Sequence, residues 1–469
     1  GKLASAGPLS IERVAALDNQ GGKLTSQTLL TVLAASLDNR NSGTLAANAG
    51  LTLNASGLVQ NDNDGLIHSE NAGLNLTVGS LNNAGGKLSA KAGDALINAG
   101  VFNNGNGGVF AGQRVRLSGG SVDNAGQIAG QQVDLSLLGA LNNRGLIESA
   151  STLDIAAASL NNQGGQLRAL GSTGKSRLAI GGTLDNSGGK LEAANADLSL
   201  AAGTFQNQGG SVLHVGTGVF DIAGINLDNV GGSLVTQGDL SLDKTNWTNS
   251  SLIQAGNLTV NVDTLEQTTS GQLLAANRIK GTGQNWSTQG VIASNGSLDL
   301  TLGGTLNNTG RLTAATDFSL ASAALNNLGT LGSGRTMTLT TGSLLNQNGL
   351  LFSGGDMSLR VDRLKNLAAD IYAMGNLSID RDGKGAFATS IINSSSSIPS
   401  DGNLSLAAGT IQNIRTVLTS ESGIYSASIS PVQCIENVNG GDCEGGKENR
   451  PFLIAQRERL RVTDASAAS

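Results

Sequence analysis

Residues that could carry chemistry are few and scattered in this chain. Residues 172–176 (STGKS) resemble the end of a phosphate-binding loop, but that motif needs a glycine five positions before Gly174, where Ala169 stands. No G-x-S-x-G and no complete G-x-G-x-x-G occurs, and the calcium-binding nonapeptide G-G-x-G-x-D is also missing. The usual signals of serine hydrolases, dinucleotide enzymes and calcium-binding repeats are therefore absent. We expect residues 172–176 to be a turn insertion.

Carboxylates are the second candidate chemistry, because polysaccharide lyases and glycosidases use clustered acids, usually with aromatic platforms for sugar rings. Five aspartates share one position in a recurring pattern and can face one side of the molecule: Asp18, Asp38, Asp123, Asp185 and Asp228. Asn replaces them in other copies, which indicates an interchangeable outward position. Trp247 and Trp286 fall on an apolar position of the pattern, where core packing is expected. We predict a non-enzymatic protein with no catalytic residue, no metal ligand and no cofactor.

Composition narrows the class of protein further. The 469 residues are only 14% charged and 3% aromatic, and the net charge is -6. An acidic chain offers no basic surface for a nucleic-acid backbone, so nucleic acid is not expected as a partner. No run of 18 apolar residues occurs, and the chain starts at Gly1 without a signal peptide. We expect an internal piece of a longer protein.

The chain is built from an internal sequence repeat, which determines where any functional side chain lies. A unit of the form apolar, Asp or Asn, Asn, x, Gly, x, x, apolar recurs twenty times, with an average step of about 20.7 residues. Between these units lie alternating stretches such as residues 298–302 (LDLTL), and a period of two predicts a strand with one buried face. The period is too short for paired helices but fits one coil of a β-solenoid. The sequence therefore predicts an all-β, right-handed parallel β-helix of about 20 coils.

The most informative position is the second residue after the leading apolar residue, which is Asn in 17 of the 20 units. The exceptions are Gln267, Thr288 and Gln347. The predicted asparagine column consists of Asn19, Asn39, Asn61, Asn83, Asn104, Asn124, Asn143, Asn162, Asn186, Asn207, Asn229, Asn249, Asn308, Asn327, Asn366, Asn393 and Asn413. Stacked inward amides can bond to those above and below as a ladder. Alternatively, the same Asn simply tolerates a left-handed turn before Gly. Both roles are structural.

The repeat units resemble the filamentous-haemagglutinin repeats of bacterial two-partner-secretion exoproteins, a superfamily that includes contact-dependent growth-inhibition effectors and haemagglutinin-type adhesins. The resemblance covers roughly residues 1–415 and rests on units such as residues 17–24 (LDNQGGKL) and 81–88 (LNNAGGKL). Residues 351–359 (LFSGGDMSL), followed by 370–375 (DIYAMG), look like the end of the first repeat block in growth-inhibition proteins. In that family the block forms an extracellular filament, and a receptor-binding region follows it.

The resemblance implies a structural stalk, a monomeric rod that presents a distal receptor-binding region to a neighbouring cell. It implies secretion through an outer-membrane two-partner-secretion transporter, and display on the surface of a Gram-negative bacterium. The distal partner would be an outer-membrane receptor on a neighbouring bacterium. The competing hypothesis is a haemagglutinin-type adhesin that binds host surfaces or matrix polysaccharide along its shaft, and a β-helical polysaccharide lyase is a third.

The repeat pattern breaks in two places. The step from Leu364 to Ile391 is 27 residues long, and its polar excess at residues 381–385 predicts a loop projecting from the rod. Beyond Ile411 the period disappears and the charge density rises. We therefore divide the chain into a β-helix, residues 1–414, and a non-repeat region, residues 415–469, which is a possible start of a receptor-binding domain.

The non-repeat region holds the chain's two cysteines, Cys434 and Cys443. In a secreted chain these favour a local disulfide over free thiols or metal binding, since the two histidines of the chain lie far upstream. Residues 451–462 (PFLIAQRERLRV) could form an edge strand or a short helix, and we favour the strand. Its arginines, Arg457, Arg459 and Arg461, are a candidate docking surface for an acidic partner, although such a charge run is more often a solvated face.

Overall fold

Three short strand segments, each on its own face, make up one turn of the chain. The computed structural model describes residues 1–415 and the strand backbones of residues 418–433 and 449–465. In these residues there is no helix, and the parallel strands stack as a β-solenoid of about 21 turns. The predicted parallel β-helix of about 20 coils is confirmed. The proposed boundary between residues 414 and 415 stays a prediction.

The first face carries four-residue strands in which the second and fourth residues point inward. Most are separate strands: Lys2–Ser5, Lys23–Ser26, Thr44–Ala47, Leu66–Ser69, Lys87–Ala90, Leu146–Ser149, Gln166–Ala169, Lys190–Ala193, Ser211–His214, Ser233–Thr236, Val291–Ser294, Arg311–Ala314, Thr330–Ser333, Leu350–Ser353 and Asp370–Ala373. In four turns the first-face segment continues into the next faces as one long strand: Gly108–Asn124, Gln127–Leu137, Leu252–Gln267 and Gln272–Gly283.

The second and third faces are often joined into one bent strand. These joined strands are Leu9–Asp18, Leu30–Asp38, Leu51–Gln60, Leu74–Asn82, Ala95–Asn104, Lys175–Asp185, Asp197–Gln206, Asp239–Asn249, Phe318–Asn327, Met337–Gln347 and Met357–Leu367. Separate second-face strands are Leu153–Ala157, Phe220–Asp221, Ser297–Leu302, Leu377–Asp380 and Leu404–Leu406. Separate third-face strands are Ala140–Asn143, Ser159–Asn161, Asn285–Thr288, Thr305–Asn308, Ser390–Ser394 and Ile411–Ile414.

The core is a set of columns of small apolar side chains that run through the stack. On the first face Leu24 pairs in register with Leu45, which pairs with Ile67, and all three are buried. Burying one such side chain contributes about 1.5–3 kcal/mol, but only if a neighbouring turn covers it. Stability therefore accumulates along the stack, because no single turn encloses a core of its own.

Two further strands, Leu418–Gln433 and Asn449–Ala465, pair with each other in antiparallel register. They form a two-stranded sheet separate from the solenoid sheet. The prediction that residues 451–462 form a strand rather than a helix is confirmed. Within the described part of the chain no helix has the length and apolar character needed to cross a membrane.

Candidate functional site

The asparagines at the end of the third face form a hydrogen-bonded ladder inside the rod. The side-chain amide nitrogen of Asn39 (Nδ2) donates to the side-chain oxygen of Asn61 (Oδ1) at 2.7 Å. The same nitrogen contacts the carbonyl oxygens of Gly43 at 2.9 Å and Leu66 at 3.2 Å, and Asn39 is fully buried. Each rung thus ties the amide column to the backbone of its own turn and of the next.

The amide ladder runs in two uninterrupted blocks. The first joins ten turns, through Asn19, Asn39, Asn61, Asn83, Asn104, Asn124, Asn143, Asn162, Asn186 and Asn207, with Nδ2 to Oδ1 distances of 2.7–2.8 Å. The second joins Asn308, Asn327, Asn346, Asn366, Asn393 and Asn413 at 2.7–2.9 Å. None of these described asparagines has a positive φ. They are therefore not used to place a left-handed residue in the turn.

Glycine accompanies most of these amides because the turn leaves no room for a side chain; Ala369 and Ser396 take its place after Asn366 and Asn393. A Cβ on Gly43 would lie 2.7 Å from the Oδ1 of Asn39 and 2.6 Å from the carbonyl oxygen of Asn19. The left-handed residues lie just beside the amide instead, for example Asn41 and Ser42 in that turn. A glycine two to four residues after the asparagine therefore marks an inward amide followed by a tight corner.

Two of the predicted column positions are wrong. Asn229 is exposed and has φ +53°, whereas the next residue, Val230, is buried. In the unit near residue 345 the true column residue is Asn346, which is buried, and Gln347 is exposed. Two adjacent leucines allow two registers there, and the structure buries Leu344 instead of Leu345.

Between the two blocks the ladder is weak. Asn249 is buried but its Nδ2 lies 3.5 Å from the side-chain oxygen of Gln267, at the limit of a hydrogen bond. The longer Gln267 instead reaches the carbonyl oxygens of Gly271 and Val291 at 3.2 Å and 2.7 Å. The hydroxyl of Thr288 is buried without any hydrogen-bond partner. The central turns therefore lose the amide contacts that tie the rest of the rod together.

The phosphate-loop look-alike is a turn held by a buried amide. Asn195 donates from Nδ2 to the carbonyl oxygens of Ser151, Gly171 and Thr173 at 2.9–3.0 Å, and its Oδ1 accepts from the Ser176 hydroxyl at 2.5 Å. Ser176 is itself buried, so its hydroxyl is not presented to a ligand. The expected turn is confirmed for residues 172–174, whereas Lys175 and Ser176 begin the strand Lys175–Asp185.

Buried His214 belongs to the same corner of the stack. Its Nε2 donates to the carbonyl oxygen of Asn195 at 3.0 Å, so its Nδ1 accepts from the hydroxyl of Thr236 at 2.9 Å. Burial lowers the pKa of this imidazole, against the smaller opposing effects of the carbonyl contacts and the charge of Asp197. The neutral ring is a structural hydrogen-bonding group in the interior.

The five aligned aspartates do not form a catalytic cluster. Asp38 accepts from the Arg40 guanidinium at 2.7 Å, and this hydrogen bond lowers the pKa of Asp38. Asp123 pairs with Arg144 at 3.1 Å, and Asp185 accepts from Gln163 at 2.6 Å. Across the described residues no three or more His, Cys, Asp or Glu side chains come together as a metal site. Asp38 thus binds a neighbour in its own turn, whereas Asp123 and Asp185 bind side chains of adjacent turns.

Sequence analysis missed a pair of outward aromatic rings on the first face. Phe352 and Tyr372 occupy paired positions in successive turns, with ring centroids 5.8 Å apart and both side chains half-exposed. The Tyr372 hydroxyl donates to Asp401 at 2.7 Å, and this bond raises the pKa of Tyr372. The exposed Pro399 follows in the next turn. Strict inward and outward alternation could have revealed the pair, because both rings fall on outward positions.

The remaining predicted site residues lie in the C-terminal region. Cys434 and Cys443 are outside the described residues, so their disulfide stays a prediction. Arg457, Arg459 and Arg461 lie on the strand Asn449–Ala465, whose backbone pairs with Leu418–Gln433. Their role as a docking surface also stays a prediction.

Comparison with known proteins places the repeat in a family. The model of the haemagglutinin repeat matches consecutive segments from residue 1 to residue 430: 1–41, 29–100, 92–145, 127–188, 172–250, 224–280, 253–328, 309–384 and 372–430. The chain is similar to the protein named deoxyribonuclease CdiA of Dickeya dadantii (strain 3937), with 26% identity over 441 residues. That alignment covers 88% of this chain and 10% of the relative, so the chain spans about a tenth of its length. No solved structure matches the chain.

Proposed function

This chain belongs to the haemagglutinin-repeat family, and from that premise we propose that it is the non-enzymatic stalk of a secreted two-partner exoprotein. The observation that carries the proposal is the continuous stack of about 21 turns, in which backbone pairing and the apolar core pass from each turn to the next. At about 4.7–4.9 Å per turn the stack is a rod about 100 Å long. A rod of this kind supplies reach between a cell surface and a distal partner.

We infer the partners from the similarity to the CdiA protein, which supports a two-partner-secretion system. The exoprotein leaves the cell through an outer-membrane two-partner-secretion transporter and stands on the surface of a Gram-negative bacterium. The stalk presents a distal region to an outer-membrane receptor on a neighbouring bacterium, as in contact-dependent growth inhibition. The rod is monomeric and binds no nucleic acid. Whatever enzymatic activity the whole exoprotein has lies outside this stalk.

Cell binding tests the stalk hypothesis. The purified chain, residues 1–469, and a version truncated after residue 410 would be labelled and titrated onto Gram-negative cells. If the stalk hypothesis is correct, the full chain binds the cells. The truncated chain then loses at least tenfold in affinity for them, because the receptor contacts lie beyond the regular turns. Equal binding by both would contradict it.

A second candidate function is adhesion to polysaccharide along the shaft, and the Phe352–Tyr372 pair favours it. Aromatic faces stack on sugar rings, and nearby carboxylates accept hydrogen bonds from sugar hydroxyls. Asp370 and Asp401 flank the rings, so a neutral glycan suits the surface better than an anionic one. Such a site needs no residue beyond the solenoid.

Replacing both rings, Phe352→Ala with Tyr372→Ala, tests the adhesin reading. If the shaft binds neutral polysaccharide, this variant loses binding to immobilised matrix polysaccharide while the truncation after residue 410 keeps it. The matched control is Phe110→Ala, since Phe110 is also half-exposed on the first face but has no aromatic neighbour in the adjacent turns. Unchanged binding in the double variant rules this candidate out.

A further inference from the structure

The C-terminal end of the described solenoid is open. Leu404 and Ile411 pair with the fully covered Leu377 and Ile391 of the turn before, yet they are 47% and 48% exposed. Leu404 and Ile411 hold core positions that no further described turn covers, and within the described residues the strands Leu404–Leu406 and Ile411–Ile414 pair with the solenoid along one edge only. An uncovered apolar edge of this kind invites aggregation unless something pairs with it.

The sequence that follows continues the register of the last turn. Adding twenty residues to the inward positions Ile398 and Leu404 gives Leu418 and Ile424, which are both apolar. Adding the same twenty to the column residue Asn413 gives Gln433, and Gln already occupies the column at position 267. The same spacing of twenty residues therefore fits all three faces, and it equals the spacing between Ile391 and Ile411 in the two preceding turns.

Local patterns support the same register. Residues 417–420 (VLTS) match first-face sequences such as 23–26 (KLTS) and 291–294 (VIAS). Gly423 precedes Ile424 just as Gly50 precedes Leu51 and Gly73 precedes Leu74. The match to the repeat family also extends beyond the last described turn, to residue 430.

The strand Leu418–Gln433 has the geometry to serve as a turn. It is 16 residues long, like Leu252–Gln267, which runs through all three faces of one turn. Its pairing with Asn449–Ala465 uses one edge, and its other edge pairs with no described strand. A free strand edge and an open solenoid edge therefore lie close together in the sequence.

We propose that residues 418–433 form one more turn, which docks by its free edge on the open end at Leu404 and Ile411. The paired strand Asn449–Ala465 then becomes the outer layer of a cap. Its sequence is rich in charged residues, as the solvent-facing layer of a terminal cap requires. Pro431 falls on the third-face apolar position and has no N–H to donate to a further turn, so the stack ends there.

Specific hydrogen bonds follow from this docking. Leu51 donates its N–H to the carbonyl oxygen of Gly73, and Leu377 donates to that of Asn403. The equivalent bond runs from the Leu404 N–H to the Gly423 carbonyl. On the third face Ile391 donates to Thr410, so Ile411 donates to Ser430. The cap thus buries two amides that the open end leaves without a strand partner.

Hydrogen exchange on the full chain tests the cap, read on peptides covering residues 402–414. Leu418→Asp with Ile424→Asp removes the two inward positions, whereas Thr419→Asp with Tyr425→Asp changes the outward neighbours by the same charge. We expect slow exchange in the unmodified chain and in the outward variant, and exchange at least tenfold faster in the inward variant. Peptides covering the strand Met357–Leu367 should stay protected in all three, which shows that the solenoid itself is folded.

Three results would overturn the cap. The peptides 402–414 would exchange rapidly in the unmodified chain if nothing covers the end. Equal exchange in the two double variants would show that the register is wrong. Protection that disappears on dilution would mean that a second copy of the chain, and not residues 418–433, covers the edge.

Discussion

Trp286 fills the space that a side chain on residue 281 would need. Trp286 holds a leading apolar position of the third face and is 1% exposed. A Cβ built on Gly281 would clash with Cη2 of the indole and with Cδ2 of Leu300. The indole nitrogen Nε1 donates to the carbonyl oxygen of Val262 at 2.8 Å, so the ring has both room and a partner. One layer of the core is thus built from a large and a very small residue.

This exchange of volume predicts a strong coupling between the two positions. Trp286→Leu should lower the free energy of unfolding by about 2–4 kcal/mol through a cavity. Gly281→Leu should cost about 1–3 kcal/mol through overpacking. The double variant places two leucines in this layer, as Leu300 and Leu306 do in the next turn. We therefore expect its loss of unfolding free energy to be smaller than the sum of the two single losses by at least about 1 kcal/mol. A denaturant double-mutant cycle measures this, and additivity would refute it.

The amide ladder predicts that adjacent asparagines differ sharply in importance. Asn143 is fully buried and donates to Asn162 at 2.7 Å, whereas Asn142 is exposed. Asn143→Leu removes the oxygen that accepts from Asn124 and the N–H that donates to Asn162, and should cost about 1–3 kcal/mol. Asn142→Leu should change stability by less than about 0.5 kcal/mol. Thermal melts of both variants give the comparison, and equal losses would contradict a ladder.

The weak centre of the ladder predicts a stabilising substitution. Thr288 holds a column position with a hydroxyl that bonds to nothing. Thr288→Asn supplies an amide in line with Asn308, and should raise the free energy of unfolding by about 0.5–1.5 kcal/mol. Thr288→Ser is the control, because it keeps a hydroxyl and adds no amide. A melting temperature that falls or stays constant in the Asn variant would show that the column cannot be repaired there.

Buried His214 predicts a pH dependence of stability. Its pKa is lowered in the folded chain, so below about pH 6.5 the unfolded chain binds a proton more readily than the folded one. Its contribution is therefore complete above about pH 6.5 and declines as the pH falls towards the folded pKa. Carboxylates such as Asp38, whose pKa is also lowered, lose their contribution at more acidic pH. Melting curves between pH 7.5 and 5 should show a decline that His214→Ser removes; a decline that persists in this variant would assign it to other groups.

The period of the repeat could be predicted from sequence because every turn must stack on its neighbours in register. The same constraint makes the inward amides visible, since an Asn such as Asn143 recurs at a fixed distance from a buried leucine. The polar excess at residues 381–385 was predicted as a loop, and the structure places these residues at the surface. Buried Asp380 accepts backbone N–H groups of Asp382, Gly383 and Gly385 and holds the loop at its base.

Other features depend on packing that a one-dimensional pattern does not contain. The unit at Leu227 matches the repeat as well as any, yet Val230 is buried and Asn229 is turned outward. At Leu344 and Leu345 the alternation fits two registers, and a shift of one residue exchanges the inside with the outside. The Phe352–Tyr372 pair arises from two different turns, so it becomes visible only when the register between those turns is known.

Small-angle X-ray scattering of the full chain tests the central claim most directly. Stacked turns predict an elongated particle about 100 Å or more in length, with a radius of gyration of about 30 Å or more. A compact domain of 469 residues would have a radius of gyration of about 23 Å. A pair-distance distribution with a long tail supports the rod, and a symmetric distribution at about 23 Å would contradict it.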